Sequence, residues 1–194
     1  NKNLKKRIVE LLNVSKELKF LVGFFYFSGL KELYEGLKKK EEKGDDFIFE
    51  VLVGLNIDKP QYGLIEIAEN KNLSNEEILE KDYDSIIKAL NYKEFDNKEF
   101  YEQIDFFIKL IENDRLIIRK TVEPNHSKLY IFKLDETQVA RKKLFLTGSS
   151  NLTKAGLTSQ REFNVEVSDY GVDEAEEYFN DLWENQSVKI TEVD

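Results

Sequence analysis

A single histidine, His126, lies in the segment Asn125-His126-Ser127-Lys128-Leu129-Tyr130-Ile131-Phe132. In an extended chain alternate side chains share a face, so His126 stands beside Lys128, Tyr130 and Phe132, while Ser127, Leu129, Ile131 and Lys133 take the other side. An imidazole next to an ammonium combines a nucleophile or proton donor with a group that holds anions. By itself H-x-K is a weak match, and a lone histidine serves as readily as a structural or surface residue.

Two further segments offer compatible chemistry. Gly148-Ser149-Ser150-Asn151-Leu152-Thr153 follows an apolar strand pattern and supplies hydroxyl and amide donors in a small-residue turn, which suits a phosphate but also an ordinary helix cap. Eleven residues beyond Asn151 lies Glu162, in the alternating segment Glu162–Val167. There a carboxylate could bond one imidazole nitrogen and leave the other free to attack, or simply be a surface glutamate.

Composition removes many other chemistries. The chain has no cysteine, so disulfides, thiol catalysis and Cys-ligated metals are excluded, and one histidine excludes His-rich metal sites. The acidic residues near the H-x-K segment are too dispersed for a two-metal carboxylate cluster, so no metal or cofactor is expected. A net charge of −9 argues against a polyanionic partner, but its distribution reverses that conclusion. From Arg115 to Arg161 there are ten basic and three acidic residues, a balance of +7. The other 147 residues carry 19 basic and 35 acidic groups, or −16. No aromatic-plus-basic repeat points to base reading.

The elements that must position these residues follow from apolar periodicity. Leu4, Ile8, Leu11 and Leu12 predict a short helix, Leu18–Phe25 a buried strand, and Leu30, Leu33, Tyr34 and Leu37 a helix capped by Ser28. The run Phe47–Leu55 reads as a central strand, making a right-handed parallel crossover with the first. A polar stretch at 56–97 predicts an insertion with a helix near Asn75–Leu90. Phe100, Ile104, Phe107, Ile108 and Ile111 mark a strong helix, followed by strands Leu116–Thr121, Ser127–Leu134, Lys143–Thr147 and Glu162–Val167. A last helix, Asp173–Asn185, should turn Ala175, Phe179, Leu182 and Trp183 inward. The expected class is α/β: a mixed central sheet with helices on both faces, in one domain spanning 1–194. No apolar run reaches membrane-spanning length and the polar start is not a signal peptide, so a cytoplasmic, membrane-free setting is expected. The lack of any methionine, an initiator included, suggests a piece of a longer protein.

With these elements in place, the pattern resembles the phospholipase D superfamily, whose members share H-x-K, then G-S-x-N, then an acidic residue. His126 and Lys128 match the first, Gly148, Ser149 and Asn151 the second, and Glu162 the third. The wording His-Ser-Lys-Leu-Tyr-Ile-Phe, Gly-Ser-Ser-Asn-Leu-Thr and Glu-Phe-Asn-Val-Glu is similar to nuclease domains of restriction endonucleases and helicase-like proteins. Two departures stand out: Lys133 replaces the usual aspartate, and Asp135–Lys143 lengthens the interval between motifs. The resemblance implies a metal-independent phosphodiesterase cleaving DNA, with His126 as nucleophile and Lys128, Ser149 and Asn151 on the phosphate. It also implies that Glu162 orients the histidine, and it allows a covalently linked helicase or specificity domain. Family chemistry uses two histidines and this chain has one, so an active enzyme requires a homodimer. The alternative is a dimeric nucleic-acid-binding module without catalysis. A phospholipid-cleaving enzyme is disfavoured by Lys133 and by the lack of an amphipathic membrane face.

Overall fold

A computed structural model describes residues 4–57, 64 and 98–190. Its described elements are α1 (Leu4–Leu12), β1 (Ser15–Phe25), α2 (Phe27–Lys31), α3 (Tyr34–Glu42), β2 (Ile48–Ile57), α4 (Lys98–Glu112) and β3 (Leu116–Thr121). There follow β4 (Leu129–Leu134), β5 (Lys143–Gly148), α5 (Lys154–Thr158), β6 (Asn164–Val167), α6 (Val172–Asn185) and β7 (Ser187–Lys189). The helix expected near 75–90 lies outside the described residues. No described helix is long and apolar enough to cross a membrane.

All seven described strands join one mixed sheet in the order β6-β5-β4-β1-β2-β3-β7. Strands β1, β2 and β3 run parallel, as the crossover argument requires, and β4, β5, β6 and β7 pair antiparallel to their neighbours. Because helices cover both faces, the central strands are apolar on both sides: Phe20, Val22, Phe49, Tyr130 and Phe132 join the larger core beneath α1–α4. On the opposite face Leu21, Leu52, Leu129 and Ile131 pack under α6 with Phe179 and Leu182, while Ala175 and Trp183 lie against them. The α/β class and the inward face of the last helix agree with the sequence pattern.

Three local expectations are corrected. The helix capped by Ser28 is two short helices, with Tyr26 as the N-cap of α2, and the Ser28 hydroxyl instead accepts from the Lys154 backbone N–H. Strand β6 begins at Asn164, not Glu162, and it edges the sheet with Phe163 and Val165 exposed, so its alternation does not mark a buried face. The basic segment is also not a continuous basic surface. Lys133, Lys142, Lys143, Arg115 and Arg141 are ion-paired within the fold, and Arg119 binds Ser187 and stacks on Trp183.

Candidate active site

His126 precedes β4 in a short irregular stretch laid over the end of β2. The Asn125 N–H donates to the Gly54 carbonyl at 3.1 Å, and a Cβ on Gly54 would overlap the Asn125 carbonyl oxygen, so a side chain there would push the His126 segment away. Asn125 fixes the turn as well, its Oδ1 accepting from the Ser127 N–H at 2.9 Å while its Nδ2 donates to the Tyr178 hydroxyl at 2.8 Å.

Two residues on, Lys128 is buried, and its ammonium lies 2.7 Å from His126 Nδ1 and 3.3 Å from Nε2 and donates to the His126 carbonyl at 2.7 Å. Burial pushes the Lys128 ammonium below the usual lysine range, and the negative charge of Glu162 works in the opposite direction. The imidazole and ammonium are therefore side by side, but not by strand alternation: β4 begins at Leu129, not Ser127, and both residues lie in the irregular stretch before it.

The turn after β5 closes against the same place. Asn151 Oδ1 accepts from the Phe24 N–H at 3.0 Å, which fixes the orientation of the amide and leaves its NH₂ as the group able to donate to an incoming oxyanion. A Cβ on Gly23 would sit 3.3 Å from Asn151 Oδ1 and 3.5 Å from His126 Cδ2. The histidine and the asparagine, with the Leu55 Cδ1 methyl at 3.4 Å, thus approach the same open side of Gly23. Tyr130, buried on the H-x-K face, supports the turn by donating from its hydroxyl to the Ser150 carbonyl at 2.7 Å. Burial, with the charge of Glu162 adding to it, raises the Tyr130 pKa far above the ordinary value and keeps it a neutral donor. The helix-cap role of this segment falls to Thr153, which accepts from the Gly156 N–H, so it does not compete for Asn151.

Ser149 and Glu162 sit differently from expectation. The Ser149 hydroxyl donates to the Glu162 carboxylate and accepts from the Phe163 N–H at 3.1 Å, so both of its functions are used inside the protein. Among the described residues, the hydrogen-bonding partner of the His126 ring is Lys128 rather than Glu162. Glu162 acts one step removed, through the Ser149 turn and through its field on Lys128. Lys133, at the position of the expected aspartate, points away from this site and pairs with Glu176 at 2.5 Å and Glu17 at 2.9 Å.

Sequence reasoning missed Gly23, Gly54 and Asn125, whose roles depend on contacts between distant segments; only the Tyr130 position carried a signal, its place on the H-x-K face. A groove of about 960 Å³ opens beside the site between α1 and β6. It takes in Ser150, Glu162 and Asn164, but neither His126 nor Lys128 lines it.

The fold has counterparts. The family described as cardiolipin synthase, PLD-like domain, matches residues 8–183. The chain belongs to the phospholipase D-like family. Among solved structures, phosphatidylserine synthase from Haemophilus influenzae is similar with a TM-score of 0.53 at 16% identity, covering 96% of this chain and 37% of that one. This phospholipase D-like chain thus spans little more than a third of that protein's length. NucT from Helicobacter pylori gives a TM-score of 0.50 at 12% identity over 94% of this chain and 88% of its own. A phospholipase D family member, Nuc from Salmonella typhimurium, gives 0.45 at 17% identity over 94% and 88%. No curated protein sequence matches. The family assignment agrees with the H-x-K, G-S-x-N and acidic pattern, and the shared architecture agrees with the mixed-sheet expectation.

Proposed function

We propose that this phospholipase D-like domain is a metal-independent phosphodiesterase that cleaves DNA through a phosphohistidine on His126, in a site shared by two copies of the chain. The observation that carries this reading is that His126, its ring held by Lys128, and the Asn151 amide both approach the bare Cα of Gly23. At rest the Lys128 ammonium holds the Nδ1 lone pair. An entering phosphate takes over that ammonium, the ring proton passes by exchange with solvent from Nε2 to the freed Nδ1, and Nε2 then presents its lone pair to phosphorus.

In the first step the Nε2–P bond forms as the P–O bond to the leaving group breaks. The leaving oxygen takes a proton from His126 of the partner subunit, since one imidazole cannot be nucleophile and acid at the same moment. In the second step the partner's His126 removes a proton from water, the water oxygen attacks phosphorus and the P–N bond breaks. Lys128 and Asn151 offset charge on the non-bridging oxygens, a contribution whose removal typically costs ~10² to 10³ in rate. Glu162 holds the Ser149 turn and thereby Asn151, and favours the protonated Lys128. In this reading Ser149, expected to contact phosphate, instead positions the phosphate-binding group.

The test is incubation of labelled single- and double-stranded DNA in excess chelator with the intact chain and with His126→Ala. Cleavage by the intact chain alone is expected. Loss of cleavage in chelator, restored by magnesium or manganese, would refute the metal-free mechanism. Binding without cleavage under all conditions would favour a non-catalytic nucleic-acid module.

A further inference from the structure

Half-exposed aromatic rings border the nucleophile. Phe24 and Tyr26 follow Gly23 at the end of β1, and both are half-buried with their ring centres 6.3 Å apart. The Phe24 ring lies 6.3 Å from the imidazole of His126, nearly perpendicular at 87°. Tyr178 of α6 is 45% exposed and is held at the His126 turn through its hydroxyl, which accepts from Asn125. None of the three belongs to either core cluster, so burial does not explain their positions. Beyond Tyr26, the Ser28 hydroxyl accepts from the backbone N–H of Lys154 at 3.4 Å, placing an exposed lysine next along the same edge. Lys154 has no acidic partner among the described residues.

A row of imidazole, phenyl and phenol rings leading away from a phosphate site, with a cation beyond it, is the arrangement that holds unpaired nucleotides: bases stack on the rings and the cation tracks the backbone. A duplex cannot use it, because its bases are already stacked on each other and present no free face. Resting on the phosphodiesterase reading above, we infer that the substrate is single-stranded nucleic acid, with the bases flanking the scissile phosphate stacked on Phe24 and Tyr26 and Tyr178 bordering the strand on the Asn125 side. The row escapes a search for aromatic-plus-basic repeats because its members come from β1, the N-cap of α2, α6 and the turn before β4.

The experiment compares binding of three labelled probes to the His126→Gln chain, which leaves them intact: a 15-nucleotide oligothymidylate, an abasic strand of the same length and charge, and the corresponding duplex. Oligothymidylate should bind at least about fivefold more tightly than the abasic strand, the lower end for one base–aromatic stack. The duplex should bind more weakly than the oligothymidylate. Tyr26→Phe should keep the difference, and Tyr26→Leu, similar in bulk but without a π-face, should reduce it. Equal affinity for oligothymidylate and abasic strand, or no loss with Tyr26→Leu, overturns the stacking proposal and leaves the phosphodiesterase reading standing. Failure of all three probes to bind overturns both.

Discussion

Gly23 lacks a side chain at the point where two functional groups need the space. A methyl group there would press on the Asn151 amide oxygen at 3.3 Å, while resting in ordinary contact with His126 Cδ2 at 3.5 Å, and through Asn151 would disturb the hydrogen bond from the Phe24 N–H. Gly23→Ala is therefore expected to leave the fold intact, since β1 is otherwise well packed, while lowering the turnover of phosphodiester by roughly 10²-fold, the scale of one displaced transition-state donor. Circular dichroism should be unchanged and steady-state kinetics should show a fall in kcat. Unchanged kcat would mean that Asn151 and His126 do not work across this gap. At this scale the sequence was most informative for His126, Lys128 and Asn151, whose residue types name their chemistry. It was silent on Gly23 and Gly54, because a glycine's role is set by what approaches it from elsewhere in the chain. For Glu162, a carboxylate of the right type and spacing, the partner within the chain is Ser149, a contact that local pattern does not reveal.

The helix α6 shows how an element can be placed correctly by its apolar face while the contacts that dock it remain hidden. Phe179 and Leu182 were legible from helical spacing, but one turn away Glu176 enters the sheet face and meets Lys133 at 2.5 Å and Lys143 at 2.8 Å, partners contributed by β4 and β5. Lys133 thus anchors α6 from the position where an aspartate was expected, and no local pattern links residues 43 apart. Burial raises the tendency of Glu176 to stay neutral, but hydrogen bonds from Lys133 and Lys143 outweigh it and hold the carboxyl below the ordinary value of 4.5. Because the folded state binds the proton less readily than the unfolded chain, this carboxylate contributes stability above about pH 4.5, and the contribution is lost as pH falls through its folded value. Glu176→Gln should cost roughly 1.5–3 kcal/mol at neutral pH, the range for hydrogen bonds to charged groups, and should make the loss of stability on acidification shallower. Urea denaturation of both chains at pH 7 and pH 4 checks this; parallel losses in the two chains would show that Glu176 is not the titrating anchor. The edge strand β6 was misread for a related reason: alternation predicts a buried face only when something lies against it, and Phe163 and Val165 are left open.

For the whole molecule the question raised by the proposed mechanism is how a two-histidine reaction would proceed in a chain with one. The turn carrying His126, the loop after β5 and the exposed Phe163 beside Glu162 lie toward one end of the sheet, so a second copy meeting this end would bring two imidazoles together. Such a face is partly basic through Lys128, Lys154 and Arg161, and its pairing with itself is opposed by charge, so apolar contact at Phe163 should hold the pair and bound phosphate should tighten it. Phe163→Asp should accordingly weaken self-association in sedimentation experiments and lower activity most at low protein concentration. The decisive measurement mixes wild-type and His126→Ala chains under conditions that allow subunits to exchange. If both histidines are needed, every hybrid is inactive, and activity per wild-type chain falls in proportion to the wild-type fraction as His126→Ala chains capture wild-type partners. If each chain works alone, activity per wild-type chain stays constant at every ratio. A constant value with exchange verified by sedimentation or mass labelling would end the shared-site mechanism while leaving His126 as a nucleophile, and the proton for the leaving oxygen would then have to come from water or another group in the same chain.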